Sequence, residues 1–430
     1  MPIPAVPAIP AIAGVPVDFI LFALTLAGVA LFHHHTLRVA VIGLVVITLY
    51  KLAFSGFRGV PGVDGLVALL GHEWVTVANL FGLLLGFALL SKHFEESRLP
   101  ELLPRFLPDD WKGAFAMLVS VFVLSSFLDN IAAAMIGGTM ARVLFKGRLH
   151  IGFLAAIVAA SNAGGAGSVV GDTTTTMMWI AGVSPLQVFD AYVAGVPALL
   201  FFGIVAARQQ HAFQPITKDA PAGIAVDWSR LSIVAAILLA AIGANIYFNL
   251  RHPEVLMHAP VIGLAVWVAI MLTGWIRKPD WSLLPGATRG SVFLLSLVLC
   301  ASMMPVEQLP HASWPAALGL GFVSAVFDNI PLTALALHQG GYDWGFLAYA
   351  VGFGGSMIWF GSSAGVALAG MFPQARSVGA WVRGGWHVAV GYLIGFACLL
   401  FTLGWHPDAA TLRSAPATPA TPATQSESTP

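Results

Sequence analysis

The chain has 430 residues, 58% hydrophobic and only 9% charged, with 20 Lys+Arg balanced by 20 Asp+Glu. A soluble domain carries about 25% charged residues, so a water-soluble globular fold is excluded and lipid is the solvent for most of this surface. Zero formal net charge gives no electrostatic footprint for a nucleic-acid partner.

In chain order, the opening MPIPAVPAIPAIAGVP has no basic segment and does not read as a cleaved signal peptide. Apolar runs of the ~20 residues that a membrane helix needs then recur to the end. They predict ten crossings, near 17–33, 38–54, 75–91, 150–182, 189–207, 231–249, 259–276, 289–304, 345–372 and 384–403. The tract His33–His35 falls at the end of the first and reads as an interfacial cap, since three consecutive imidazoles supply no coordination shell. The two cysteines, Cys300 and Cys398, lie in apolar runs and offer neither a disulfide framework nor metal-ligand spacing. Nothing in the chain calls for a resident cofactor. The closing SAPATPATPATQSESTP is low-complexity and reads as a disordered tail, 404–430.

Two apolar segments do not fit as single spans. In 113–143 and 312–339 the run is interrupted by Asp-Asn, as FLDNI at 127–131 and FDNIP at 327–331, with Asp328 following Asp129 by 199 positions. Both predict re-entrant hairpins. Irregular backbone at membrane depth is tolerated only against protein or a water-filled cavity, so a cavity is expected at both tips. Two of the crossings, 150–182 and 345–372, are longer than a span requires and carry glycine clusters. In each, a Gly pair is followed six residues on by another glycine (Gly165 to Gly171, Gly355 to Gly361), and both read as broken helices.

With the N-terminus outside, the cytoplasmic loops hold 16 Lys and Arg and the outer segments 4, namely Lys51, Arg58, Arg251 and Arg413. That bias predicts both termini outside and a cytoplasmic linker at 208–230. Three crossings precede each hairpin and two follow it, in opposite orientation. The expected fold is therefore an all-α polytopic membrane protein of two inverted repeats, 1–207 and 231–403, the architecture of many secondary transporters.

Three carboxylates, Asp129, Asp172 and Asp328, are then expected at membrane depth. One central Asp costs roughly 2.5–3.5 kcal/mol on insertion scales, and such residues usually face an interior cavity. The bland alternative is a buried polar network, but matched Asp-Asn pairs in inverted halves favour function. Hard cations take oxygen ligands. A Na+ site at Asp129, Asp172 and Asp328 would draw further oxygens from Asn130, Asn329, Asn162, Ser168, Thr173, Ser362 and Ser363. Hydroxyls of 173–176 can instead bond their own backbone; Thr173, directly after Asp172, is the one expected to act as a ligand. Asn162 serves equally well as interhelical glue.

The stretches FLDNI, FDNIP, NAGGAGSVVGDTTTTMMWI and GGSMIWFGSSAGV resemble the ion transporter superfamily of arsenite permeases and dicarboxylate and citrate carriers, and most closely NhaD-type Na+/H+ antiporters. The resemblance runs from about 113 to 372. It implies exchange of Na+ or Li+ for H+, a scaffold domain that dimerises, a transport domain of hairpins and broken helices, and a bacterial-type inner-membrane location. The chain departs from the pattern at Ala132, where proline is expected, and at the second glycine-rich break, which lacks a counterpart of Asp172. Asp-Asn at the tips favours the cation branch over the Ser-Asn-Thr of anion carriers. An arsenite or carboxylate carrier of the same superfamily is the alternative. An intramembrane aspartyl protease is disfavoured because residues 169–172 read Val-Val-Gly-Asp and because an inverted repeat has no role in it. No enzymatic activity is expected.

Overall fold

A computed structural model describes residues 10–32, 35–57, 60–99, 107–217, 225–256 and 258–407. His33, His34, Arg58, Arg105, Lys218, Arg413 and the tail from 408 lie outside the described residues.

Apart from a two-stranded turn, Ala11–Ile12 against Val15–Pro16, the described residues fold into helices. Five of them are long and apolar enough to cross a membrane: Thr36–Ser55, Gly62–Glu96, Pro185–Phe213, Trp228–Phe248 and Trp281–Ser302. A sixth is the pair Val378–Gly384 and Trp386–Thr402, bent by 58°. The protein is thus a multi-pass helical membrane protein. Other expected crossings are shorter: Val17–Leu31 has 15 residues and Val261–Thr273 has 13. The crossing expected at 75–91 is the inner part of a 35-residue helix, Gly62–Glu96.

The helices sort by packing. Gly62–Glu96 packs on Trp228–Arg251, Val261–Thr273 and Leu284–Ser302, and Leu284–Ser302 also packs on Thr36–Tyr50. These helices leave much apolar surface exposed, including Leu49, Val67, Leu239 and Leu272, as a lipid-facing wall requires. Two arms of the interrupted elements are instead buried along their length, Ile151–Ala166 being packed between Trp111–Ser125 and Ala191–Phe213. In Ile151–Ala166 every residue from Gly152 on is buried, and in Trp344–Gly354 every residue is. Alanine and glycine on the first let neighbouring backbones approach closely.

Helices end and restart at four places in this region. Trp111–Ser125 and Asn130–Leu144 meet at Asp129; Trp314–Ser324 and Asn329–Gln339 meet at Asp328. Ile151–Ala166 gives way to Thr173–Ile180, and Trp344–Gly354 to Ser363–Met371. Second arms cross over: Asn130–Leu144 packs on Ser363–Met371, and Asn329–Gln339 on Thr173–Ile180.

One charge differs from the reading of a free outer loop. Lys51 is buried in a short π-helical turn, Lys51–Ser55, and its Nζ donates to Asp18 Oδ1 at 3.0 Å, beside a second 3.0 Å bond from Ser55. Asp18 is fully buried. A Lys in this position is retained because the paired carboxylate offsets the cost of burying its charge.

Candidate functional site

Four helices start at the centre of the interrupted region, and each start is capped by a polar side chain. Asp129 Oδ1 accepts from Ile131 N–H at 2.9 Å, Asp328 Oδ1 from Ile330 N–H at 3.1 Å, and Asp172 Oδ1 from Thr174 N–H at 3.0 Å. Ser362 caps the fourth through a 3.3 Å bond from Gly365 N–H. Aspartate and serine are among the best N-caps because their oxygens satisfy amides left orphaned by the helix start. The partial positive charge of those helix starts also favours carboxylates there. Each Asp therefore caps a helix through one oxygen, and the cap does not use the other.

The free oxygen of Asp172 is the focus. Asp172 is 2% exposed, and its Oδ2 accepts from Asn130 Nδ2 at 3.3 Å and from Asn329 Nδ2 at 3.4 Å. One carboxylate oxygen thus holds the amides of Asn130 and Asn329, which are far apart in sequence. Asn130 Nδ2 also donates to Asn162 Oδ1 at 3.1 Å. Asn162 Nδ2 in turn donates to Ser356 Oγ at 2.9 Å and Ser362 Oγ at 3.1 Å. Asn162 thus joins the Asp172 network to the second break, as interhelical glue does. Ser363 Oγ donates to Asp328 Oδ2 at 3.2 Å.

Beside this network a crevice is lined by Asp129, Asp172, Thr173 and Thr176 on one side and by Leu80, Leu84 and Phe87 of Gly62–Glu96 on the other. None of the ion pairs among the described residues involves Asp129, Asp172 or Asp328. Isolated buried charge is costly unless a proton or a cation neutralises it, so the three carboxylates and their amide and hydroxyl neighbours form a donor set suited to a hard monovalent cation.

Not every expected residue joins. Ser168 is in the break, but its Oγ accepts from Val170 N–H and its carbonyl from Thr175 Oγ1; it makes no hydrogen bond to the carboxylates. Thr175 and Thr176 turn back on the Asp172 carbonyl, both at 2.9 Å, as membrane hydroxyls commonly do. Thr173 lines the crevice. Sequence reasoning missed Ser356 and the apolar wall from Gly62–Glu96. Ser356 follows the Gly354–Gly355 pair directly, which is the one signal that marks it.

Comparison with characterised proteins gives a consistent set of relatives. The chain is 28% identical over 293 residues to Sodium/proton antiporter 1 of Arabidopsis thaliana, covering 58% of this chain and 49% of that protein. It is 27% identical over 340 residues to Sodium/proton antiporter 2 of the same plant, covering 69% and 76%. It is 27% identical over 304 residues to the Na(+)/H(+) antiporter NhaD of Alkalimonas amylolytica, covering 59% and 61%. The matched region therefore spans about half of the first plant protein and about three-fifths of the bacterial one. No family model matches the chain. The relationship to NhaD-type antiporters expected from the motifs is borne out, and these relatives are named as transporters rather than enzymes.

Proposed function

We propose that this protein is a secondary transporter that exchanges Na+ or Li+ for H+ across a bacterial-type inner membrane by alternating access. The observation that carries the reading is the meeting of the Asn130 and Asn329 amides on one buried oxygen of Asp172, with Asp129 lining the same crevice and Asp328 capping the helix that carries Asn329. The activities for which the relatives are named support Na+ and H+ over arsenite or a carboxylate. In this reading 1–207 and 231–403 are inverted repeats joined by a cytoplasmic linker at 208–230, with both termini outside. The interrupted helices form the moving body, and Gly62–Glu96 with its neighbours forms the scaffold. Assembly as a homodimer through that scaffold follows from the same resemblance; the mass of the detergent-solubilised particle tests it.

The mechanism is competition. A proton and a sodium ion neutralise the same carboxylates, so neither rides while the other is held. Alternating exposure of the loaded site to the two sides then couples their fluxes. Antiport in everted vesicles from cells lacking their own exchangers, with Na+, Li+ and K+ compared, is the direct test. Apparent KM for Na+ is expected to rise as pH falls. A KM independent of pH over the active range overturns the shared site, and transport of arsenite or a carboxylate without cation exchange overturns the substrate. Labelling of a cysteine at 218 by an impermeant reagent outside intact cells overturns the orientation.

A further inference from the structure

The network on Asp172 extends beyond the four helix starts. Ser356 is fully buried in the second break, and both of its oxygens are engaged from outside that break. Its Oγ accepts from Asn162 Nδ2 at 2.9 Å, and its carbonyl oxygen accepts from Trp381 Nε1–H at 3.2 Å. Local structure explains why a side chain is needed at the carbonyl. Trp344–Gly354 stops two residues before Ser356, so no further turn of helix supplies an amide to that oxygen. A buried carbonyl left without a donor is costly, and the indole is the donor that fills the gap.

Trp381 is 1% exposed and lies in Val378–Gly384, which is capped by Ser377 and bent by 58° from Trp386–Thr402. Val378–Gly384 packs on Ile151–Ala166, the helix that carries Asn162. Glycine at the bend permits the approach: a Cβ on Gly385 would stand 2.8 Å from Ala155 Cβ. Ser356 is thus held at two points, carbonyl and hydroxyl. The first break has no such clamp. By the shared glycine spacing, Gly165 to Gly171 and Gly355 to Gly361, Ser356 corresponds to Ala166, which has no hydroxyl, and Asn162 corresponds to Gly352.

We infer that Trp381 is a positioning residue for the cation site, a role that rests on the reading of the Asp172 network as the place of transport. Its N–H fixes the Ser356 carbonyl. The Ser356 hydroxyl, with that of Ser362, turns the donor end of the Asn162 amide toward the second break and leaves the acceptor end for Asn130. Asn130 Nδ2, held there, meets Asp172 Oδ2 at 3.3 Å. An amide has one donor end and one acceptor end, so an Asn162 that loses Ser356 is less fixed in that orientation, and the donor on Asp172 is less well placed. Groups one bond removed from an ion's ligands are typically worth roughly ten- to a hundredfold in affinity; Trp381 stands further out, at the low end of that range.

The test is Na+/H+ exchange in everted vesicles, with the melting temperature of the solubilised full-length protein measured alongside. Trp381→Phe keeps an aromatic ring and removes the donor. It is expected to raise apparent KM for Na+ about tenfold with the maximal rate nearly unchanged, the mark of lost ion binding. Benzothienylalanine at 381, which has the shape of tryptophan without its N–H, gives the same readout if the smaller ring fails to support the fold. Ser356→Ala is expected to raise KM at least as far, and Trp381→Phe added to it is expected to raise KM no further, because no hydroxyl is then left to position. A tryptophan that merely fills space predicts otherwise: a lower melting temperature and an unmoved KM. Trp344→Phe is the control. Trp344 is buried too, but its indole N–H has no partner, so that variant is expected to keep the wild-type KM. A wild-type KM in a folded Trp381 variant, KM losses that add in the double variant, or an equal KM rise in Trp344→Phe overturns this inference alone. Absence of Na+ exchange by the wild type overturns the transport reading and this inference with it.

Discussion

The two broken helices make the sharpest comparison in the molecule. In the first, Ile151–Ala166 ends and Thr173–Ile180 begins at Asp172; in the second, Trp344–Gly354 ends and Ser363–Met371 begins at Ser362. The capping residues share a backbone conformation, φ −142° and ψ 143° at Asp172, φ −142° and ψ 152° at Ser362. The glycines before them make the same close approach, with a Cβ on Gly165 or Gly355 standing 2.6 Å from the carbonyl oxygen of Gly171 or Gly361. The connecting segments differ in length, 167–172 against 355–362, and the capping side chains differ in charge. The backbone of a break and the chemistry it carries are therefore separable: glycine spacing and a capping oxygen make the break, and an acid at the cap turns one of the two into the centre of the site.

The largest expected effect follows from removing that acid alone. Asparagine caps a helix about as well as aspartate, so Asp172→Asn is expected to leave insertion and melting temperature near wild type while Na+-dependent proton flux in everted vesicles falls to background. Wild-type exchange by this variant removes Asp172 from the mechanism. The converse change sharpens the asymmetry. Ser362→Asp places a second carboxylate on Asn162 Nδ2, where the Ser362 hydroxyl now accepts at 3.1 Å. It is expected to slow exchange roughly tenfold, the equivalent of about 1.4 kcal/mol, by drawing Asn162 from its bond with Asn130. Combining it with Asp172→Ser is expected to give no rescue, because the amides of Asn130 and Asn329 converge on position 172 and not on 362. Rescue by the swap would show that only the total charge matters.

Next come changes expected to act equally on both breaks. A Cβ on Gly171 meets the Ser125 carbonyl oxygen, and one on Gly361 meets the Ala325 carbonyl oxygen. In both cases the atom met is a backbone carbonyl oxygen, which has no rotamer to yield. Gly171→Ala and Gly361→Ala are each expected to destabilise by roughly 1–3 kcal/mol, the range of overpacked interiors. Thermal melts of the solubilised protein should fall by similar amounts. A large loss at one position alone would break the correspondence between the halves.

Much of this was legible in the sequence because it violates composition. Asp-Asn inside an apolar run is conspicuous, and so is glycine recurring at a fixed spacing in a segment too long for one span. The helices end where those residues stand: Asp129, Asp172 and Asp328 are caps. What was not legible depends on pairs distant in the chain. The Gly354–Gly355 pair marks Ser356 as part of a break but does not say that it meets Asn162 across 194 positions, while Ser168 stays with its own break. Nor does Lys51 announce that it pairs with Asp18, 33 positions earlier. Hydropathy also stops short on Gly62–Glu96, whose N-terminal part holds Asp64, His72 and Glu73 and so reads as a loop.

The smallest expected effect concerns a charge pair on the surface, and it tests whether pH acts at the centre or at the rim. Asp227 caps Trp228–Arg251, and Arg277 Nε donates to its Oδ2 at 3.0 Å. The hydrogen bond from Arg277, aided by those from the Arg230 and Ser229 amides, holds the Asp227 carboxyl below the usual carboxylate range. A depressed carboxyl stabilises the fold above its unfolded value, and that contribution fades only as pH falls through the lowered folded one. Arg277→Ala removes the first-named contribution, so its effect on melting should be constant from neutral to alkaline pH and disappear in strong acid, where Asp227 is protonated with or without its partner. Because the pair is exposed and screened by salt, the change is expected to be slight and smaller still in high salt. Across the pH range in which exchange operates, Asp227 stays ionised in both proteins. The pH profile of Na+/H+ exchange in Arg277→Ala vesicles should therefore overlay that of wild type. A shifted profile would place part of the pH dependence at this rim rather than at the buried carboxylates.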